Sequence, residues 1–270
     1  ALAVTPLSNY EGGDITYFGQ VGDIEFESQF FGGSHSEKYL GTDITGHVLG
    51  GVVIQLHGES WRARASFLNA KASYSNPQLN QLRMGLDFIA TLDPAFTDLS
   101  NRFALDKKWI GYYTIGAEWD ANEWTITTEG NYISGPNAGL STTTEGGYLS
   151  VARQFDRWQP YAVVSRFHSH LNKSAIDEFY DTYQSAPENA GPPLIDLVRN
   201  GALQAIGRLN IAESIFAVGV RYEIYTKMAL KGQIDHYLLG KESPGQFTAE
   251  GDPPYPGQAN LYTVTLDMVF

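Results

Sequence analysis

Along most of this chain, apolar and polar residues alternate one by one. Ile15, Tyr17, Gly19 and Val21 interleave with Asp14, Thr16, Phe18 and Gln20. Beyond Gly22-Asp23, Ile24, Phe26, Ser28 and Phe30 interleave with Glu25, Glu27 and Gln29. A period of two predicts strands with one greasy face and one wet face. The pattern returns with Val48, Val52, Ile54 and Leu56 against His47, Gln55 and His57. It returns again from Trp61 to Ser75, where Ala63, Ala65 and Phe67 oppose Arg62, Arg64 and Ser66; beyond Ala70 the faces blur, which predicts a bulge. Trp109, Tyr113, Ile115, Ala117 and Trp119 share a face opposite Tyr112, Thr114 and Glu118. Trp124, Ile126, Thr128 and Tyr132 oppose Thr125, Thr127, Glu129 and Asn131. Residues 146–155 form a strand of ambiguous faces. Tyr161, Val163, Ser165 and Phe167 then alternate with Ala162, Val164, Arg166 and His168. Phe216, Val218, Val220, Tyr222 and Ile224 oppose Ala217, Gly219, Arg221 and Glu223; Leu230, Gly232 and Ile234 oppose Lys231, Gln233 and Asp235. The chain ends on Tyr262, Val264, Leu266, Met268 and Phe270 against Leu261, Thr263, Thr265 and Asp267.

Single strands of this kind also suit a soluble sandwich. The connections discriminate. Short turns at Gly22, Gly58, Asp120, Asp156 and Thr226 alternate strictly with long connections near residues 32–46, 76–108, 136–144, 172–212 and 240–259. A closed barrel in an outer membrane has this asymmetry, with short turns on the periplasmic side and long loops outside. About eleven strands of about ten residues each have the length that crosses a bilayer when tilted. Trp residues flank the turn at 120–123, where an interfacial girdle belongs. The expected fold is therefore all-β: a single domain, 1–270, forming a transmembrane antiparallel up-and-down β-barrel. Bacterial single-chain barrels have an even strand count. Eleven strands thus predict an odd number more upstream, with twelve in total as the minimum. Within the second long connection, Leu79, Leu82, Leu86 and Ile89 recur at helical spacing and predict a short amphipathic helix; Leu194 to Val198 predicts at least a helical turn.

Composition fits this reading. Tyr and Phe number 16 and 14 and Gly 28, the mixture that alternating strands need, and mean hydropathy is only −0.24. No run of about 18 apolar residues exists, so transmembrane helices are not expected. Cysteine is absent. A net charge of −12 argues against a nucleic-acid partner, because such a chain repels phosphates. Ala1 to Pro6 lacks the basic and apolar regions of a signal peptide.

Three stretches carry a resemblance: Pro6-Leu-Ser-Asn-Tyr-Glu-Gly12 leading into a strand, Val218-Gly-Val-Arg-Tyr-Glu223 followed by Met228-Ala-Leu-Lys231, and the ending from Asn260 to Phe270. With these the chain resembles the large Gram-negative porin family, nearest the proteobacterial porins related to the phosphate-selective group. The resemblance implies a sixteen-stranded barrel, often trimeric, with an inward-folded loop narrowing the pore. About five strands would then precede this sequence. It also implies residence in the outer membrane among lipid and lipopolysaccharide, small hydrophilic solutes as cargo, and no cofactor.

In a wide barrel the polar strand face lines water. The expected pore lining is Arg62, Arg64, Arg166, Arg221 and Lys231, together with Glu25, Glu27, Glu118, Glu129, Glu223 and Asp235. Clusters of opposite sign would set up a transverse field that orients polar solutes. Arg62 and Arg64 are two apart and point the same way. The structural alternative is that these are ordinary solvated residues. His168 and His170 share a strand face but lack a third metal ligand nearby, and Asp177, Glu178 and Asp181 read as a solvated acidic loop. Neither Gly-x-Ser-x-Gly nor His-Glu-x-x-His occurs. Passive diffusion through a water-filled barrel is the expected function. A sheath around a partner protein and a barrel hydrolase are the rival classes.

Overall fold

The computed structural model describes residues 10–39, 42–75, 77–135, 141–171, 195–202, 211–240 and 257–269, with positions 177, 181, 182, 184 and 243. Eleven strands form one antiparallel sheet whose spatial order is their sequence order: β1 (Glu11–Val21), β2 (Ile24–Tyr39), β3 (Thr42–His57), β4 (Trp61–Ser75), β5 (Lys108–Ala121), β6 (Trp124–Ser134), β7 (Ser141–Arg153), β8 (Trp158–Leu171), β9 (Ala212–Tyr225), β10 (Met228–Leu239) and β11 (Gln258–Met268). The all-β, up-and-down expectation holds. The sheet is not closed: β1 and β11 are its two edges. No helix among the described residues is long and apolar enough to cross a membrane.

The short turns lie at one end. Asn122 and Glu123 both take positive φ, 52° and 69°, between paired Ala121 and Trp124. That is the primed two-residue turn whose twist matches a hairpin. At the β1–β2 turn the first central residue is Gly22 at φ 62°, a conformation that costs glycine nothing.

Two expectations about the other end are corrected. Residues 32–46 are not an open loop. β2 and β3 are 16 residues each, and their ladder continues to Tyr39 opposite Thr42. Backbone pairing needs no apolar side chain, so a polar stretch outside the apolar band can remain strand. The bulge lies on β3, not on β4. Pairing with β4 slips between Gly46 and Val48, and pairing with β2 slips across the same place, leaving one extra residue at His47. The β4–β5 register runs unbroken from Trp61 opposite Trp119 to Ala72 opposite Lys108.

The β4–β5 connection holds two helices where one was expected: α1 (Pro77–Leu92), opened by a proline that suits the first helical turn, and α2 (Phe96–Arg102). Leu82, Leu86 and Ile89 of α1 are buried, as are Phe96, Leu99 and Phe103 on and after α2. The Leu79 side chain lies outside the described residues. Ser100 donates a hydrogen bond to Asp87 between the two helices. Residues 195–202 are helical, with Val198 and Ala202 buried, and a β-carbon on Gly201 would touch Leu82 of α1 at 3.5 Å. The two longest connections therefore meet. In the β10–β11 connection, the buried Ser243 hydroxyl accepts the N–H of Ala212, the first residue of β9, at 2.8 Å.

Candidate channel wall

Register divides the sheet into two faces. One continuous row runs Trp119, Ile126, Val151, Ala162, Val218, Ile234 and Tyr262, and the next row up carries Ala117, Thr128, Leu149, Val164 and Phe216. Among the described residues, this face holds most of the exposed large apolar side chains, including Ile15, Ile115, Val218 and Val264, the last 77% exposed. The opposite face is the more enclosed one. Leu49, Val53, Ala70, Asn131, Phe167, Ser169, Glu213, Ala217, Ala229 and Asp235 are all buried and all point to it. A sheet that curls crowds its concave side, so the polar face is the inner one.

The apolar face is bounded by aromatics. Trp61 and Trp119 pair across β4 and β5, with Trp124 and Trp158 at the same turn end. The Trp158 and Tyr222 rings lie 4.3 Å apart, and the Arg153 guanidinium sits 5.1 Å over the Trp124 ring. Trp109, Tyr113 and Tyr132 mark the other rim. From Trp119 to Trp109 is ten residues, roughly 33 Å along an antiparallel strand. A tilt of 35–45° reduces this to about 25 Å, the height of the apolar band of an outer-membrane barrel.

Ten of the eleven residues expected to line a pore share the inner face: Glu25, Glu27, Arg62, Arg64, Glu118, Glu129, Arg221, Glu223, Lys231 and Asp235. Arg166 does not. It pairs with Gly147 and Ser214, on the outer face with Val164, Leu149 and Phe216. Its strand misleads because both faces carry apolar residues. Phe167, which looks lipid-facing, is an inner side chain only 1% exposed.

The inner charges are interleaved. Arg62 Nη2 lies 2.5 Å from Glu118 Oε1, whose other oxygen accepts the Thr127 hydroxyl at 3.3 Å. Arg221 donates to Glu223 at 2.6 Å. Arg64 stands beside Gln55 and Gly116, with Glu27 and Glu129 one strand further on each side. A chain of contacts missed in the sequence crosses β8 to β10. The Lys231 ammonium lies 5.0 Å over the Tyr161 ring, the Tyr161 hydroxyl donates to Gln233 at 2.7 Å, and Gln233 donates to Asp235 at 2.6 Å. Alternation could not have found it, because on β8 it sets Tyr161 with Phe167 on the face opposite Arg166; only the register, Tyr161 opposite Gly219 and Gly219 opposite Gln233, brings Tyr161 to the face of Gln233 and Asp235.

At the outer rim the bulge turns His47 toward Ser73. The Ser73 hydroxyl donates to Asp106 at 2.6 Å and accepts the Lys107 N–H at 2.9 Å. With its one proton so used, Ser73 can only accept from His47 Nε2, 2.7 Å away. The Ser73 hydrogen bond holds the Asp106 carboxyl below its ordinary pKa; desolvation opposes it, and the Lys107, His47 and Arg83 charges add to the lowering.

The outer face also contains a notch. Gly130 and Gly147 face each other across β6 and β7, leaving backbone bare. A cavity of about 560 Å³ opens there between Tyr113, Ile115, Tyr132, Glu145, Arg166 and His168. The His168 and His170 rings meet edge to face at 4.7 Å, and no group of three metal-ligating side chains occurs among the described residues. Glu178 of the acidic loop lies outside those residues.

No family model matches the chain, and no curated protein does. Solved structures similar to it include OmpF of Salmonella typhi in complex with daunomycin, at 12% identity over 95% of this chain and 62% of that one, with a TM-score of 0.48. The anion-selective porin from Comamonas acidovorans matches at 9% identity over 95% and 59%, TM-score 0.49. The outer-membrane channel DcaP of Acinetobacter baumannii matches at 10% identity over 94% and 62%, TM-score 0.46. The chain thus spans about three fifths of the length of each. Likeness at this level decides nothing about function, which rests on the two faces of the sheet.

Proposed function

We propose that this chain forms the wall of a water-filled channel in the outer membrane of a Gram-negative bacterium, through which small hydrophilic solutes and ions diffuse passively. The single observation behind this reading is the division of the sheet. An apolar outer face about 25 Å tall between aromatic rims suits lipid hydrocarbon, and an inner face of ion pairs and hydroxyls suits water. In water alone, an outer face with Val264 at 77% and Ile115 at 69% exposure would be a standing aggregation hazard.

The proposal includes a closed barrel of sixteen strands, of which these supply eleven, and assembly as a trimer. Both rest on the resemblance in the sequence. The inner-face charges, Arg62 and Arg64 among them, would meet the passing solute.

The test is single-channel recording. The protein, expressed from its complete gene and reconstituted in planar bilayers, is expected to give discrete, long-lived conductance steps. A refolded, inserted protein that never conducts would sink the reading. Lipid or peptide hydrolysis that persists through purification would replace it with an enzyme.

A further inference from the structure

We propose that the notch in the outer wall is a binding site for one anionic membrane lipid, its phosphate held by Arg166 and an acyl chain lying over Gly130 and Gly147. The proposal rests on the membrane location of the wall, but not on conduction. Arg166 is exposed on a face otherwise given to hydrocarbon, and among the described residues it has neither an ion pair nor a hydrogen bond. The nearby carboxylate is already engaged: Glu145 Oε1 lies 3.1 Å from His170 Nε2. Arg166 thus has no direct partner in the patch, and a cation on a lipid-facing wall calls for an anion.

Depth points to a headgroup. Arg166 stands eight residues along β8 from Trp158, roughly 20 Å up the wall after allowing for tilt. That is close to the far rim of the apolar band, where a guanidinium on a flexible stem reaches the phosphate level. The surface beside it suits a chain rather than a second head. Two facing glycines make a bare floor, with Ile115 and the rings of Tyr113 and Tyr132 as its side. Guanidinium and phosphate match in geometry as well as charge. An amphiphile with a phosphate at one end and an acyl chain at the other fits both halves of the site.

Native mass spectrometry on protein released from mixed micelles would count retained lipid, titrating phosphatidic acid against phosphatidylcholine of the same chains. The wild type is expected to retain one phosphatidic acid about tenfold more tightly than phosphatidylcholine, the scale of one charge-assisted hydrogen-bonded contact. Arg166→Gln should abolish that preference while leaving phosphatidylcholine unchanged. Gly130→Leu should weaken both lipids. A side chain there enters open space, with the nearest atoms 3.9 Å from its β-carbon, so the strand is expected to tolerate it. Equal retention by the wild type and Arg166→Gln overturns the site. So does displacement by an equal concentration of inorganic phosphate, which would make it a soluble-anion site. Oligomer loss in Gly130→Leu without any change in lipid retention would assign the notch to a second copy instead. In bilayers, Arg166→Gln should leave single-channel conductance unchanged, and an altered conductance would return Arg166 to the pore. A wild type that does not conduct defeats the channel reading while the lipid count still reports on this site.

Discussion

Asp106 shows how much one side chain contributes at the strand rim. Its carboxyl is held below the ordinary range by the Ser73 hydroxyl above all, against desolvation and with smaller help from the surrounding positive charges. A carboxylate whose folded pKa is depressed stabilises the fold above its unfolded pKa, and that contribution disappears as pH falls through the folded value. The tie between β4 and the start of β5 should therefore persist through neutral and mildly acidic conditions and slacken only below the ordinary carboxylate range. Carboxyl-detected NMR titration of Asp106 checks this, and Ser73→Ala should move its midpoint upward. A midpoint unmoved by that substitution would mean the hydroxyl is not the cause. The sequence alone does not reveal this tie, because Ser73 and Asp106 are 33 residues apart and meet only through the β4–β5 register. Parity did reveal most of the inner face, since alternation alone placed Glu25, Glu118 and Asp235. It fails at Arg166 because on β8 the aromatic residues Tyr161 and Phe167 lie on the enclosed face, while the exposed face carries Val164.

At the scale of elements, the long connections are where sequence and structure part. Strands declare themselves by period two, and the α1 periodicity was visible in Leu82, Leu86 and Ile89. The second helix was not, since seven residues from Phe96 to Arg102 give too short a pattern to separate from chance. Nor could sequence show that residues 195–202 return to α1 through Gly201 and Leu82, a contact between segments more than a hundred residues apart. This packing implies a small core of its own outside the sheet. Leu86 and Ile89 are fully buried in it, as is Phe96. Leu86→Ala should then cost the helical unit about 2–5 kcal/mol, by lost transfer energy and the cavity left behind. Limited proteolysis should cut within 76–107 far faster in the variant, while far-ultraviolet circular dichroism keeps its strand signal. Loss of both signals together would show that the helices are integral to the barrel wall rather than a unit laid on its rim.

For the whole molecule, the two-faced sheet makes a prediction that no single residue can. An arginine placed mid-strand on the outer face, Val218→Arg, should cost about 2–4 kcal/mol of stability in lipid, whereas one on the inner face, Ser150→Arg, should cost little. Denaturant titration of protein folded into vesicles measures both, and equal costs would refute the assignment of faces. The inner face then sets the charge preference of any current through it. Glu118 neutralises Arg62 at 2.5 Å and Glu223 neutralises Arg221 at 2.6 Å. Of the ten expected lining residues found on that face, Arg64 and Lys231 remain against Glu25, Glu27, Glu129 and Asp235, in a chain of net charge −12. A lining with surplus carboxylate, set in low-dielectric walls, enriches cations in the lumen. Reversal potentials in a potassium chloride gradient should therefore show potassium preferred over chloride. The preference should be larger at 0.1 M salt than at 1 M, because the screening length shrinks from about 10 Å to about 3 Å over that range. Replacing Glu25 and Glu27 together by Gln should bring the reversal potential toward zero without closing the channel. A chloride preference in the unmodified protein would mean that these eleven strands do not set the sign of the pore's charge.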